Sequence, residues 1–178
     1  MKPALLIVDM QRDFVDYINS KRKINELVIN INLLRKAFRK RKLPIIYLKF
    51  INNPNNKHVK RAGWDYCIKG SRGSEIITEL KPQKGELIFE KSENSAFYCP
   101  SFKKRLKELQ VDTLVLTGIQ THICILSTAN DGYANNYDVI VLKDCVSSSK
   151  DLRKKWALWW IKRYAGKVMN STNFLKLG

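Results

Sequence analysis

The sequence has no apolar run of about 18 residues, which argues against a transmembrane helix of ordinary length. Its first segment, MKPALLIVDMQRDF, reaches Asp9 and Asp13 too early for a secretory signal peptide. The four cysteines lie far apart and form no CxxC pair, so they predict neither a zinc ribbon nor a disulfide framework. We therefore expect a cytoplasmic protein with no membrane partner.

Acidic residues are scarce. There are 16 Asp and Glu against 33 Lys and Arg, which gives a formal net charge of +17. Much of the excess lies in RKAFRKRK, KKRLK and RKK, within segments of helical periodicity, so we interpret these clusters first as solvated helix faces. Nucleic acid, an anionic surface or an anionic substrate are the functional alternatives. No zinc-finger, RNP or basic-zipper pattern is present, and we do not expect a nucleic-acid partner.

Short apolar runs alternate with amphipathic segments along the whole chain. This alternation predicts a parallel sheet with helices on both faces, in a single domain over residues 1–178. The predicted strands are 4–9, 44–50, 85–91, 112–118, 138–144 and 167–171, and the predicted helices are about 23–42, 74–80, 102–109, 124–135 and 150–164. Residues 51–73, rich in Asn and Gly, form a connection long enough to be an active-site lid.

Three reactive side chains lie at or just beyond the carboxyl ends of predicted strands, where open parallel sheets bind ligands. They are Asp9 at the end of the first strand, Lys91 at the end of the third and Cys124 just beyond the fourth. A helix beginning at Cys124 would lower the pKa of its thiol, Asp9 could accept the thiol proton, and Lys91 could orient Asp9. Strand-end charges are common and buried cysteines are usually inert, so the residues alone leave a structural role open.

Three motifs strengthen the catalytic interpretation. IVDMQRDF resembles the DxQxDF signature of the isochorismatase-like cysteine hydrolases. EKSENSAF resembles the KxxxSAF segment of that superfamily, and TGIQTHICILSTANDGYANNYDVIVLKDCVSS resembles its cysteine block. The motifs occur in the order and spacing of the superfamily, which includes nicotinamidases, carbamoylsarcosine amidase-like enzymes and isochorismatases. The joint match is specific for the superfamily and unspecific for the substrate.

The resemblance implies an α/β fold, a Rossmann-like three-layer αβα sandwich with a six-stranded parallel sheet. It implies a catalytic triad of Asp9, Lys91 and Cys124. It also implies a cis peptide between Ile119 and Gln120, which directs the main-chain amides of Gln120 and Cys124 into an oxyanion hole. The activity implied is hydrolysis of a C–N bond in a small amide or ureido compound through a thioester, without a cofactor.

Aromatic residues near these motifs are candidates for the wall of a substrate pocket. The candidates are Phe14, Trp64, Phe97 and Tyr98. His122 lies two residues before Cys124, but the resemblance assigns the role of base to Asp9, so we interpret His122 as part of the loop structure. Asp13 is interpreted as a turn or buried polar group.

The sequence has too few histidines for a typical transition-metal site. Nicotinamidases carry Asp-x-His after the second strand, whereas PIIYLKF is followed here by INNPNN, and the chain has only His58 and His122. We therefore expect no metal ion, which counts against a nicotinamidase. An isochorismatase-type vinyl-ether hydrolase and a basic nucleic-acid-binding protein with an idle site remain the alternatives.

The segment RKKWALWWIKRY predicts an assembly. Trp156, Trp159 and Trp160 share a helical stripe that the sheet cannot cover completely, and exposed aromatic surface often marks an interface. We expect a homo-oligomer, a dimer or tetramer, held partly by Trp159 or Trp160. The competing interpretation is that all three tryptophans pack on the sheet.

Overall fold

A computed structural model describes residues 1–63 and 65–177, without the side chains of residues 58 and 62. Its centre is a sheet of six parallel strands in the spatial order β3-β2-β1-β4-β5-β6. The strands are β1 Pro3–Val8, β2 Ile45–Phe50, β3 Leu87–Lys91, β4 Thr113–Ile119, β5 Asp138–Ser147 and β6 Lys167–Met169. The predicted six-stranded parallel sheet is confirmed.

Helices pack on both faces of this sheet. They are α1 Arg12–Ile18, α2 Lys21–Lys40, α3 Lys57–Ala62, α4 Pro100–Glu108, α5 Leu126–Ala134, α6 Asp151–Tyr164 and α7 Ser171–Leu175. Within the described ranges, no helix is long and apolar enough to cross a bilayer.

The sheet divides the core into two apolar clusters because successive side chains of a strand point to opposite faces. Leu6 and Val8 of β1 pack in one cluster with α4 and α5, whereas Leu5 and Ile7 pack in the other with α2. All six residues of β1 are buried. This double burial explains why the central strands are continuous apolar runs, and it confirms the three-layer αβα architecture.

Several local predictions needed correction. Residues 12–18, for which no helix is predicted, form α1, and residues 51–73, predicted as a connection, contain α3. The helix predicted at 74–80 is replaced by short 3-10 turns at Arg72–Ser74 and Thr78–Leu80. Ile76, between them, forms an antiparallel bridge with Gln11, which holds the backbone extended. Cys124 does not begin an α-helix, because Thr121–Ile125 form a π-helical turn before α5.

The strand order reverses between β1 and β4, which are neighbours in the sheet although three connections separate them in the chain. Gly118 of β4 lies beside Val8 of β1 with φ +107°, and a side chain there would overlap the carbonyl oxygen of Val8. Glycine is therefore required for the two strand ends to lie so close. Ligand sites of open α/β sheets lie at such a reversal, so the fold brings Asp9 and the Cys124 turn to a favourable position.

Candidate active site

The three reactive residues identified at predicted strand ends meet beyond the sheet. Lys91 Nζ lies 2.8 Å from Asp9 Oδ2, and both side chains are fully buried. The Cys124 thiol is close enough to hydrogen-bond with the carboxylate of Asp9 and the ammonium of Lys91. The structure thus brings a buried carboxylate, ammonium and thiol into one cluster.

Lys91 reaches Asp9 by crossing β2. Its strand, β3, is separated from β1 by β2, and neighbouring strands lie about 4.8 Å apart. The Lys91 ammonium lies 5.1 Å from the centre of the Phe50 ring, at the end of β2, and also donates to the carbonyl oxygen of Glu93 at 3.1 Å. A long side chain and an aromatic surface beneath it therefore account for lysine at this position.

The charges of this cluster depend strongly on one another. Burial raises the pKa of Asp9 above its usual range, and the attraction of Lys91 offsets only part of that shift. Burial alone would lower the pKa of Lys91, but the nearby Asp9 and Cys124 outweigh it and raise this pKa. Lys91 therefore keeps its proton and holds a positive charge 2.8 Å from Asp9.

The Cys124 thiol differs from the prediction made from sequence. Burial raises its pKa, the negative charge of Asp9 raises it further, and Lys91 only partly counteracts both. The expected lowering by a helix N-terminus does not dominate, because the thiol is almost fully buried beside a carboxylate. The resting side chain is therefore the neutral thiol, and its ionisation needs a proton acceptor within the cluster.

Asp9 has an oxygen suited to that purpose. Oδ2 accepts from Lys91, whereas the buried Oδ1 accepts no hydrogen bond of ordinary geometry from the described residues. The backbone of Asp9 has φ +51°, in the left-handed region, immediately after β1. A carboxylate oxygen beside a neutral thiol fits the role of a general base.

Gln11, a residue not predicted to belong to the site, fixes the strand ends that carry the cluster. Its side-chain amide donates to the carbonyl oxygens of Phe50 at 2.7 Å and of Ser74 at 3.0 Å, and its Oε1 accepts from the Phe50 amide at 2.7 Å. The side chain is fully buried. Gln11 therefore ties the end of β1 to the end of β2, the strand that Lys91 crosses.

The loop before Cys124 is fixed by the end of β5 and the residues after it. The peptide bond between Ile119 and Gln120 is cis. Gln120 Oε1 accepts from the Ser149 amide at 2.9 Å, and Thr121 Oγ1 donates to the Ser147 carbonyl at 2.9 Å. His122 Nδ1 lies 3.1 Å from Ser148 Oγ, a contact that agrees with a role in loop structure.

A cavity of about 410 Å³ opens above the cluster. Its lining residues come from the ends of β1, β2 and β3, from residues 52–66 and from the cysteine loop. They are Asp9, Phe14, Phe50, Asn52, Asn53, Asn56, Val59, Tyr66, Ser92, Glu93, Asn94, Gln120, Ile123 and Cys124. Because Asp9, Gln120 and Cys124 are all in the wall, a small molecule in the cavity would reach the reactive groups.

The aromatic wall agrees only partly with the sequence prediction. Phe14 lines the cavity and packs against Tyr66, with ring centres 5.2 Å apart. Phe97 instead packs in the core against Phe102, and Tyr98 is 72% exposed on the surface, so neither lines the cavity. These two predictions were wrong because the short 3-10 turn Ala96–Tyr98 directs its side chains away from the site. Trp64 lies outside the described residues.

The connection after β2 contributes the polar part of the wall. Asn52, Asn53 and Asn56 line the cavity, and Asn52 forms a parallel bridge with Ile68. Asp13 Oδ2 accepts from the Cys67 amide at 2.6 Å, which anchors the far side of this segment to α1. Side-chain amides are poor ligands for transition metals, so this wall does not fit the divalent ion of a nicotinamidase.

Comparison with known proteins identifies the family. The Isochorismatase domain model matches residues 3–173. The chain belongs to the isochorismatase family. Its match to the uncharacterized isochorismatase family protein YaaI of Bacillus subtilis is 34% identical over 164 residues, 87% of this chain and 86% of that protein.

Two further members of the family have named activities. The ureidoacrylate amidohydrolase RutB of Pseudomonas savastanoi pv. phaseolicola is 28% identical to this chain. The match covers 98% of this chain and 84% of RutB. The crystal structure of N-carbamoylsarcosine amidase from Thermoplasma acidophilum is 31% identical, with a TM-score of 0.85 and coverage of 96% and 97% of the two chains. Both names describe amide hydrolysis of a compound with a ureido or carbamoyl group.

Proposed function

We propose that this isochorismatase-family protein is a cysteine amidohydrolase that cleaves a C–N bond of a small amide or ureido compound. The observation that carries the proposal is the buried cluster of Lys91, Asp9 and Cys124, of which Asp9 and Cys124 line the cavity. A carboxylate within hydrogen-bonding reach of a neutral thiol matches what formation of a thioester requires. Cys124 is the proposed nucleophile, Asp9 the base, and Lys91 the group that keeps Asp9 ionised and oriented.

The first half of the reaction transfers one proton twice. Asp9 accepts the proton of Cys124 as sulfur attacks the carbonyl carbon, so the charge moves within the cluster and Lys91 stays beside it. The tetrahedral oxyanion then collapses, the C–N bond breaks, and protonated Asp9 gives its proton to the leaving nitrogen. The products of this step are an amine or ammonia and a thioester on Cys124.

The second half returns the enzyme to its resting state. Asp9, again a carboxylate, removes a proton from water, and the hydroxide attacks the thioester carbon. Collapse of this second tetrahedral intermediate breaks the C–S bond, and the proton on Asp9 returns to sulfur. The carboxyl product leaves, and no cofactor takes part in either half.

The main-chain amides of Gln120 and Cys124 are the proposed oxyanion hole. Both residues line the cavity. Their loop is held by Thr121, which donates to the Ser147 carbonyl, and by Gln120, which accepts from the Ser149 amide. Donors fixed in advance stabilise a developing oxyanion because they need no reorganisation during the reaction. This support is geometric and does not depend on the identity of the substrate.

The cavity and the relatives both support the proposed substrate class. A volume of about 410 Å³ is within the range of small-molecule sites. Asn52, Asn53 and Asn56 offer both donors and acceptors, as an amide or ureido group does. RutB and N-carbamoylsarcosine amidase, by their names, act on compounds of this kind. We propose a cytoplasmic small-molecule enzyme and keep the homo-oligomer as a prediction.

The test is ammonia release from a panel of small primary amides, ureido compounds and N-carbamoyl amines. At least one class should be hydrolysed, and Cys124→Ala should reduce turnover by several orders of magnitude. Cys99→Ala is the matched control, because this cysteine lies outside the cavity and should leave turnover unchanged. Rapid quenching and mass spectrometry should detect an acyl group on Cys124. Full activity of Cys124→Ala would overturn the proposal.

A further inference from the structure

Helix α6 presents an apolar surface that the rest of the described chain does not cover. Leu152 is 79% exposed, Trp156 49% and Trp159 57%, whereas Ala157 and Ile161 on the opposite side are fully buried. The buried face thus consists of small and aliphatic residues, and the largest aromatic side chains face outward. Soluble surfaces rarely expose several large apolar side chains side by side without a binding role.

The exposed residues form one continuous stripe along the helix. Leu152, Trp156, Trp159 and Arg163 are spaced by four, three and four residues and therefore lie on one line of an α-helix. Beside this line, Trp160 packs against Tyr164, with ring centres 4.6 Å apart, and lies 5.9 Å from Trp156. The outer face of α6 is defined here as Leu152, Trp156, Trp159 and the residues that flank them.

The flanks of the outer face are strongly basic. Arg153 lies on one flank, Lys155 and Lys162 lie on the other, and Arg163 ends the central line. All four are exposed, and none forms a salt bridge with another described residue. Asp151 is the single acidic residue in the sequence of α6, and it is 2.7 Å from Lys23. An apolar centre between two unneutralised basic edges calls for a partner that is both apolar and anionic.

This charge pattern disfavours a second copy of the chain as the partner. In a two-fold contact through the outer face, the basic residues of one copy would face the same residues of the other, without acidic groups to neutralise them. A nucleic acid fits the charge but not the shape, because single strands are bound in grooves and stack on aromatic rings. The outer face is one side of a single helix, and its most exposed residue, Leu152, is aliphatic.

We propose that the outer face of α6 binds the protein peripherally to a membrane surface rich in anionic phospholipids. The helix would lie in the plane of the interface, with Leu152, Trp156 and Trp159 among the headgroups. Tryptophan is favoured at that depth, and the basic residues on both flanks extend to the phosphates. The surplus of cations over the whole chain adds attraction at longer range. This inference revises the expectation of no membrane partner and is independent of the proposed enzymatic function.

The experiment is sedimentation of the full chain with vesicles of phosphatidylcholine alone or mixed in equal amounts with phosphatidylglycerol. Binding is expected to the mixed vesicles only and should be lost in 1 M salt, where the screening length falls to about 3 Å. Three of the four tryptophans lie on α6, so their fluorescence should shift to shorter wavelength and be quenched by brominated lipid.

Two surface variants test the face itself. The first variant combines Lys155→Glu with Lys162→Glu, and the second combines Trp156→Ser with Trp159→Ser. Each double variant should reduce the vesicle partition coefficient about tenfold or more. The control combines Lys104→Glu with Lys107→Glu, which makes the same change of charge on α4, where both lysines are exposed. It should reduce binding clearly less than the charge variant of α6 does. Circular dichroism verifies that each variant is folded.

The alternatives give distinct results, and each would overturn the proposal. Equal loss of binding in the α4 and α6 charge variants would show attraction by net charge alone. Binding of an oligonucleotide but not of vesicles, with sensitivity to Trp156 and Trp159, would identify a nucleic-acid partner. Failure to bind mixed vesicles, or tight binding unaffected by the α6 variants, would exclude this face as a membrane contact.

Discussion

At the scale of single residues, the cluster of Asp9, Lys91 and Cys124 holds a positive charge on Lys91 and a thiol proton that Asp9 is placed to accept. Because burial and Asp9 raise the pKa of Cys124, the free thiolate is scarce near neutral pH. In the proposed mechanism, sulfur attack then depends on transfer of the proton to Asp9, which leaves the total charge of the cluster unchanged. This internal transfer has a pH signature different from that of a cysteine activated by simple ionisation.

The pH dependence of kcat/KM is the first prediction. Asp9 must be ionised for the proposed reaction. Burial raises its pKa above the ordinary value of 3.8, so the inflection on the acid side should lie above pH 3.8. Below that inflection, kcat/KM should fall about tenfold per pH unit. Towards alkaline pH the rate should stay level beyond pH 9.0, the ordinary value of a thiol, because the pKa values of Cys124 and Lys91 are both raised. Steady-state rates between pH 4 and 10, with circular dichroism as the control for unfolding, provide the measurement. A continuous rise from pH 7 to 9 would favour direct ionisation of the thiol.

The second prediction concerns the buried ion pair. Asp9→Asn keeps a residue that tolerates the left-handed backbone but leaves the Lys91 ammonium buried without a counter-charge, which should cost about 3–5 kcal/mol of unfolding free energy. Adding Lys91→Met should restore most of that stability without restoring turnover. Urea unfolding of the single and double variants measures this difference. Equal stability of both variants would mean that the pair is not coupled as its 2.8 Å separation indicates.

At the scale of the elements, the strand order and the close approach of β1 and β4 determine the site. The sequence predicted all six strands, because buried parallel strands are short apolar runs between amphipathic helices. It also identified Asp9, Lys91 and Cys124, since each lies at or beyond the end of a strand and belongs to a recognisable motif. The geometry now shows these three residues together, while their catalytic roles remain proposals.

The parts that the sequence did not predict depend on contacts between distant residues. Ile76 is held extended by Gln11, and the segment with Asn52 and Tyr66 forms the cavity wall through bridges and hydrogen bonds that no local pattern reveals. Phe97 looked like a wall residue because it is near Lys91 in sequence, but its neighbours Phe102 and Tyr137 belong to the core. The pKa of Cys124 could not be predicted because it depends on burial.

The third prediction tests the approach of the two central strands. Gly118→Ala should separate β4 from β1, because its methyl group would overlap Val8, and should reduce both stability and kcat/KM. Gly85→Ala is the matched control: Gly85 also has a positive φ, +91°, but nothing lies within 4 Å of the added carbon. This control should lose about 1–2 kcal/mol from backbone strain alone and remain active. Similar losses in both variants, measured by urea unfolding, would contradict a special role of the Gly118 contact.

At the scale of the whole molecule, charge decides which surfaces can associate. The net charge of +17 opposes self-association, and the outer face of α6 concentrates both exposed tryptophans and unpaired cations. The homo-oligomer expected from the sequence must therefore use a contact in which basic residues do not face their own copies. This reasoning separates the aromatic stripe from the oligomer interface that the tryptophans first suggested.

The fourth prediction is that a homo-oligomer persists when Trp159 and Trp160 are both replaced by glutamate. Sedimentation velocity at micromolar concentration should show the same species for this variant and for the unchanged chain, because repulsion between like charges keeps α6 out of the contact. The two kinds of association should also respond to salt in opposite directions. Binding of α6 to anionic vesicles weakens as ionic strength rises, whereas contact between like-charged copies strengthens when their repulsion is screened. A clean 20.7 kDa species at every salt concentration would contradict the oligomer, and dissociation caused by the two glutamates would place the interface on α6 after all.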